Sequence, residues 1–121
     1  SDTAGKATPE SIKSLIQLTR NIGISSKIAL HLHHGDDICS MHDKLNMAYD
    51  MGVREFDSSL SGLGGCPFVE GSHGNLATEE LVDWAEKRGL RSNVDRERLN
   101  LAISFVNSHI RKAKEALQIS V

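Results

Sequence analysis

Two short strand-like stretches, separated by one helical pattern, constrain this chain more than any other feature. Residues 27–33, Lys-Ile-Ala-Leu-His-Leu-His, and residues 53–59, Val-Arg-Glu-Phe-Asp-Ser-Ser, each have the length and make-up of a strand. Between them, residues 41–51 repeat apolar side chains at helical spacing, with Met41, Leu45 and Ala48 on one face and Gly52 as the stop. A strand, a crossover helix and a second strand make a βαβ unit, in which the strands run parallel. Helical patterns flank this unit. Thr8-Pro9-Glu10 offers a hydroxyl N-cap, a proline at the first helical position and an acid at the positive end of the dipole. Ile12, Leu15, Ile16, Thr19 and Ile22 follow at helical spacing as far as Gly23. A third helix is predicted from Thr78 to Gly89, with Glu79 and Glu80 in its first turn. Asp95 caps a last one to about Leu117, with an apolar stripe of Leu99, Ala102, Ile103, Val106, Ile110, Ala113 and Leu117. The fold class is therefore α/β with a parallel sheet, and a doubly wound sheet and a barrel both satisfy the pattern.

Composition narrows the function classes. The 121 residues carry 14 basic and 16 acidic side chains, a formal charge of −2, which argues against nucleic-acid or membrane-surface binding through bulk charge. The hydrophobic fraction is 39%, ordinary for a water-soluble domain once the ten glycines are added. No apolar run approaches the ~20 residues that span a bilayer. Two cysteines, Cys39 and Cys66, are too few for a disulfide framework and suit a reducing compartment. The chain opens on Ser1 and shows no signal peptide, which suits a cut or processed start. By length it is one domain or less.

Three groups of residues could carry chemistry. His31 and His33 alternate along one strand, so they share a face, and two imidazoles at a strand's C-terminal end can ligate one divalent metal. The same spacing also suits two hydrogen-bonded histidines with no ligand. His34 points the other way. In Gly62-Leu63-Gly64-Gly65-Cys66-Pro67 the glycines permit positive φ and close backbone approach, and a cysteine held there could donate a proton or attack. A turn with an inert thiol satisfies the same residues. The run is neither a Walker loop nor a dinucleotide fingerprint, because no Gly-Lys-Ser/Thr follows and Pro67 replaces the last glycine. Asn75, just ahead of the third helix, offers an amide oxygen to a hard cation or simply a cap to the helix. Asp2 reads alone as a solvated terminal residue. His42 and His109 read as helix-surface residues, and His73 lies in the glycine loop between Leu60 and Asn75, where it could line a pocket.

In combination these runs resemble the signature of the 3-hydroxy-3-methylglutaryl-CoA lyase family. The resemblance rests on residues 62–68, Gly-Leu-Gly-Gly-Cys-Pro-Phe, then Gly71, then residues 74–82, Gly-Asn-Leu-Ala-Thr-Glu-Glu-Leu-Val. Met51-Gly52-Val53, Phe56-Asp57-Ser58-Ser59, His31-Leu32-His33, Asp2-Thr3 and Thr8-Pro9 continue it, to about residue 100. Related isopropylmalate and homocitrate synthases share the histidine strand and the Asp-Thr start but lack this cysteine loop.

The resemblance implies that residues 1–121 are the C-terminal portion of a (β/α)8 TIM-barrel lyase domain: the end of barrel strand six, strands seven and eight, and the terminal helices. It implies a carbon–carbon lyase that cleaves 3-hydroxy-3-methylglutaryl-CoA to acetyl-CoA and acetoacetate, as in leucine degradation and ketone-body formation. His31, His33 and Asn75 would ligate Mg²⁺ or Mn²⁺, Cys66 would be the proton-transferring thiol, Asp2 would assist proton transfer, and Gly64 and Gly65 would form the substrate loop. Expected partners are an acyl-CoA substrate, the remainder of the barrel or a homologous chain, and further copies in a homo-oligomer; no nucleic acid or membrane is expected. The expected compartment is the mitochondrial matrix in a eukaryote and the cytoplasm in a bacterium. A barrel takes about 250 residues, so the 121 present would be inactive alone. The alternative is a non-catalytic barrel remnant serving as an interaction or structural module. Two departures bear on the site: His34 stands where the family has aspartate, and about two extra residues lie between His33 and Met51.

Overall fold

The structure, a computed structural model, describes residues 4–23, 27–34, 38–65 and 73–118. Four helices and two strands follow in the order α1 (Pro9–Asn21), β1 (Ala29–His31), α2 (Ile38–Asp50), β2 (Glu55–Asp57), a 3-10 turn (Leu60–Gly62), α3 (Thr78–Lys87) and α4 (Arg96–Gln118). The strands pair in parallel with Ala29 opposite Glu55, Leu30 opposite Phe56 and His31 opposite Asp57. The expected βαβ unit is present.

Both strands are shorter than their strand-like stretches. Beyond His31 and Asp57 each pairs with an intervening strip, residues 74–78, instead of with the other strand. His34 N donates to Gly74 O (2.8 Å) and Leu76 N to Leu32 O (2.9 Å) on one side. Ser59 N donates to Leu76 O (3.0 Å) and Thr78 N to Ser59 O (2.9 Å) on the other. The strip thus satisfies the backbone groups at the C-terminal ends of both strands, and it carries Leu76, fully buried, into the core.

Helix α1 starts as its sequence dictates. Thr8 Oγ1 accepts from Ser11 N (3.2 Å) and Ser11 Oγ accepts from Thr8 N (2.9 Å), a closed capping box ahead of Pro9. Only Ile12 and Ile16 of its expected stripe are buried; Leu15 and Ile22 are exposed, because only the face toward α2 finds a packing surface. On α2, Met41, Leu45 and Ala48 are fully buried as expected, and they join Leu32, Val53, Leu76 and Trp84 in one core cluster. Trp84 of α3 closes that core. Its Nε1 donates to Asn46 Oδ1 (2.9 Å), and its ring meets Tyr49 and Phe56 edge-on at 5.7 and 5.8 Å.

Lys44, a polar position on α2, is buried with the core and donates from Nζ to Gly5 O (3.0 Å), pinning the segment ahead of α1. Asp95 caps α4 by accepting from Arg98 N (3.0 Å). Burial fades along the α4 stripe: Leu99 is buried, residues 102, 103, 106 and 110 are half-buried, and Ala113 and Leu117 are exposed. The helix runs past the elements it packs on. Arg96 donates to Glu86 (2.7 Å) and to Asp83, joining α4 to α3, and the two carboxylates hold its guanidinium above the ordinary arginine range. Among the described residues no helix is long and apolar enough to cross a membrane.

Candidate metal centre

The site is built where β1, β2 and the strip end together. His31 closes β1, and strand alternation does bring His33 round to it. The two rings meet edge to face at 5.0 Å, with His31 Nε2 and His33 Nε2 3.1 Å apart. Asp57 stands opposite His31 in register, and its Oδ2 lies 2.7 Å from His31 Nδ1. A carboxylate only accepts, so this contact places a proton on Nδ1, and in the neutral ring it leaves the Nε2 lone pair facing His33. His33 is buried, and its Nδ1 has no hydrogen-bond partner among the described residues.

Asn75 joins the histidines through the strip, as the backbone partner of His33 across an antiparallel bridge. Its Nδ2 donates to Leu63 O (2.9 Å), so the amide is oriented and Oδ1 remains as its acceptor. Leu63 O also accepts from Ser59 Oγ (2.6 Å), which ties the 3-10 turn to the strip. Asn75 is not a helix cap: the N-cap of α3 is Ala77, without a side-chain bond.

Two glycines make this closeness feasible. Gly64 has φ 107°, and a Cβ there would lie 2.5 Å from Asn75 Nδ2. Gly74 has φ 90°, and a Cβ there would run into the Gly62 carbonyl. The expected loop glycines, Gly64 and Gly65, both have positive φ. Cys66 and Asp2 lie outside the described residues.

The donor set fits a hard or borderline divalent cation in part. Cis ligands of an octahedral ion with bonds of about 2.1 Å stand about 3 Å apart, and the two Nε2 atoms meet that spacing. Two imidazoles and one amide oxygen leave positions for carboxylate, water or substrate oxygens. Among the described residues no three His, Cys, Asp or Glu side chains are arranged to hold a metal ion by themselves, so a further protein ligand would come from elsewhere.

His34 points away from this pair, as expected. Its Nε2 lies 3.0 Å from Oε2 of the buried Glu80 in α3, within ion-pair reach but without the alignment of a hydrogen bond. His34 therefore engages α3. The sequence reading assigned no role to Asp57. Its signal was present: an acid on the second strand, in the register position beside the first histidine.

A model of a protein family described as HMGL-like matches residues 1–106. The chain is 37% identical over 105 residues to the human mitochondrial hydroxymethylglutaryl-CoA lyase, covering 87% of this chain and 32% of that protein. It is 33% identical over 122 residues to the hydroxymethylglutaryl-CoA lyase YngG of Bacillus subtilis, covering 99% and 40%. The solved structure of an HMG-CoA lyase from Acinetobacter baumannii, in complex with coenzyme A and 3-methylmalate, superposes with a TM-score of 0.76 at 32% identity, over 88% of this chain and 34% of that one. The chain thus spans well under half the length of each of these relatives.

Proposed function

The chain belongs to the HMGL-like family, within the TIM-barrel superfamily, and from that premise we propose that it is the C-terminal part of a (β/α)8 barrel that cleaves 3-hydroxy-3-methylglutaryl-CoA to acetyl-CoA and acetoacetate. The observation that carries this reading is the meeting of the His31 and His33 Nε2 atoms at 3.1 Å beside Asn75, at the C-terminal ends of two parallel strands. That is the end of a barrel where catalytic groups assemble.

In this reading His31, His33 and the Asn75 amide oxygen hold Mg²⁺ or Mn²⁺. When bound, such a cation supplies Lewis-acid stabilisation of negative charge developing on substrate oxygen. A base removes the 3-hydroxyl proton, with Asp2 assisting. The bond between C2 and C3 breaks, C3 becomes the ketone of acetoacetate, and the electron pair passes to the thioester enolate. The Cys66 thiol then protonates C2 of that enolate, giving acetyl-CoA. Gly64 and Gly65 let the backbone before Cys66 approach the thioester closely. The remaining barrel strands supply the other ligands and close the sheet, the assembly is a homo-oligomer, and its compartment is the mitochondrial matrix in a eukaryote or the cytoplasm in a bacterium.

A coupled assay for acetyl-CoA release by the complete, Mg²⁺-loaded barrel tests this. Release is expected, and Cys66→Ala is expected to lower turnover by at least ~10²-fold while Mn²⁺ affinity stays near that of the parent. A folded, metal-loaded barrel without activity rejects the reading in favour of a barrel remnant that serves as an interaction module.

A further inference from the structure

We infer that Asp57 is a positioning residue for the metal centre: it fixes the tautomer and ring orientation of His31 so that Nε2, with its lone pair, faces the shared position beside His33. The inference rests on the metal-site reading above and adds a residue to it.

His31 and Asp57 are directly paired on adjacent parallel strands, so their side chains leave the sheet on the same face. The alternate residues, Leu30 and Phe56, turn to the other face and pack against the core. A slip of one residue would bring Phe56 beside His31, so the core that seats Phe56 also seats Asp57. The resulting contact, 2.7 Å, is that of a charge-assisted hydrogen bond.

Stability alone is a poor explanation for this pair. The His31 and Asp57 side chains are 51% and 65% exposed, and an ion pair that open to solvent adds little. Its chemical effect is specific. A neutral imidazole carries one proton. Free in water, His31 would divide that proton between its two nitrogens and let the ring rotate. With Asp57 accepting at Nδ1, the proton stays there and the opposite lone pair is held 3.1 Å from His33 Nε2. A carboxylate behind a ligating histidine also raises the basicity of the nitrogen that faces the metal.

The test uses the complete protein with Asp57→Ala, Asp57→Glu and His31→Ala variants. Mn²⁺ affinity is read from the electron paramagnetic resonance of free Mn²⁺. The His31 tautomer is read separately by ¹⁵N NMR of histidine-labelled, metal-free protein at a mildly alkaline pH. Asp57→Ala is expected to weaken Mn²⁺ binding roughly 10- to 100-fold and to shift the His31 proton from Nδ1 toward Nε2, with the fold unchanged by circular dichroism. Asp57→Glu is expected to restore part of both. An unchanged tautomer in Asp57→Ala overturns the inference, as does unchanged Mn²⁺ affinity when His31→Ala abolishes it. If His31→Ala leaves Mn²⁺ affinity unchanged, the metal-site reading fails, and the NMR measurement on metal-free protein still decides what Asp57 does to His31.

Discussion

Gly64 and Asn75 show how a single residue sets the site. Nothing larger than hydrogen fits on Gly64 without meeting the Asn75 amide, and its φ of 107° disfavours any other residue. Gly64→Ala is expected to cost about 1–3 kcal/mol by thermal unfolding and to lower Mn²⁺ affinity, because the amide loses its seat on Leu63 O. Asn75→Ala is expected to weaken Mn²⁺ binding with a smaller loss of stability, since its backbone bridge to His33 remains. The electron paramagnetic resonance of free Mn²⁺ reads the affinity of both variants. At this scale the histidine pair was legible in the sequence, because strand alternation is a fixed period. Asn75 was legible only through resemblance, since an amide ahead of a helix ordinarily reads as a cap. Asp57 was not legible in its role, because its partner lies 26 residues earlier and is reached only by strand pairing.

The elements came through the sequence well where a local rule governs them. Thr8-Pro9 opened α1 and Asp95 opened α4 as capping chemistry requires. The strands did not come through at full length, because their ends belong to the strip at residues 74–78, and nothing local announces that pairing. Which residues of the apolar stripes on α1 and α4 are buried was not legible for a similar reason: periodicity marks an apolar face without saying what covers it. Thr8→Ala is expected to cost about 1 kcal/mol and Trp84→Ala about 3–5 kcal/mol, both by urea unfolding of the complete protein. The larger loss follows from the Tyr49 and Phe56 ring contacts and the Asn46 bond that go with the indole. The junction of α3 and α4 has its own pH signature. With the Arg96 guanidinium raised, its contribution is whole below the ordinary arginine value and fades only as pH climbs through the raised one. Arg96→Gln is therefore expected to lower stability equally at about pH 6 and about pH 9, as differential scanning calorimetry at the two values would show.

For the whole molecule, the described residues supply one parallel strand pair and the helices around it, and the relatives are two to four times longer. The face beside β2 and α3 holds an open cavity of about 490 Å³, whose walls include Phe56, Leu81, Trp84 and Leu90. In the proposed barrel, neighbouring elements from the rest of the sheet fill it. The parallel α/β class was legible from the βαβ pattern, whereas the choice of a barrel came from resemblance, because two strands carry no closure information. The most direct test of the account is an anomalous-scattering map from crystals of the complete protein grown with Mn²⁺. It predicts one Mn²⁺ peak bonded to Nε2 of His31, Nε2 of His33 and Oδ1 of Asn75, with Asp57 still on His31 Nδ1. A Mn²⁺ peak that touches neither histidine, in a map where residues 31, 33 and 75 are ordered, would contradict it.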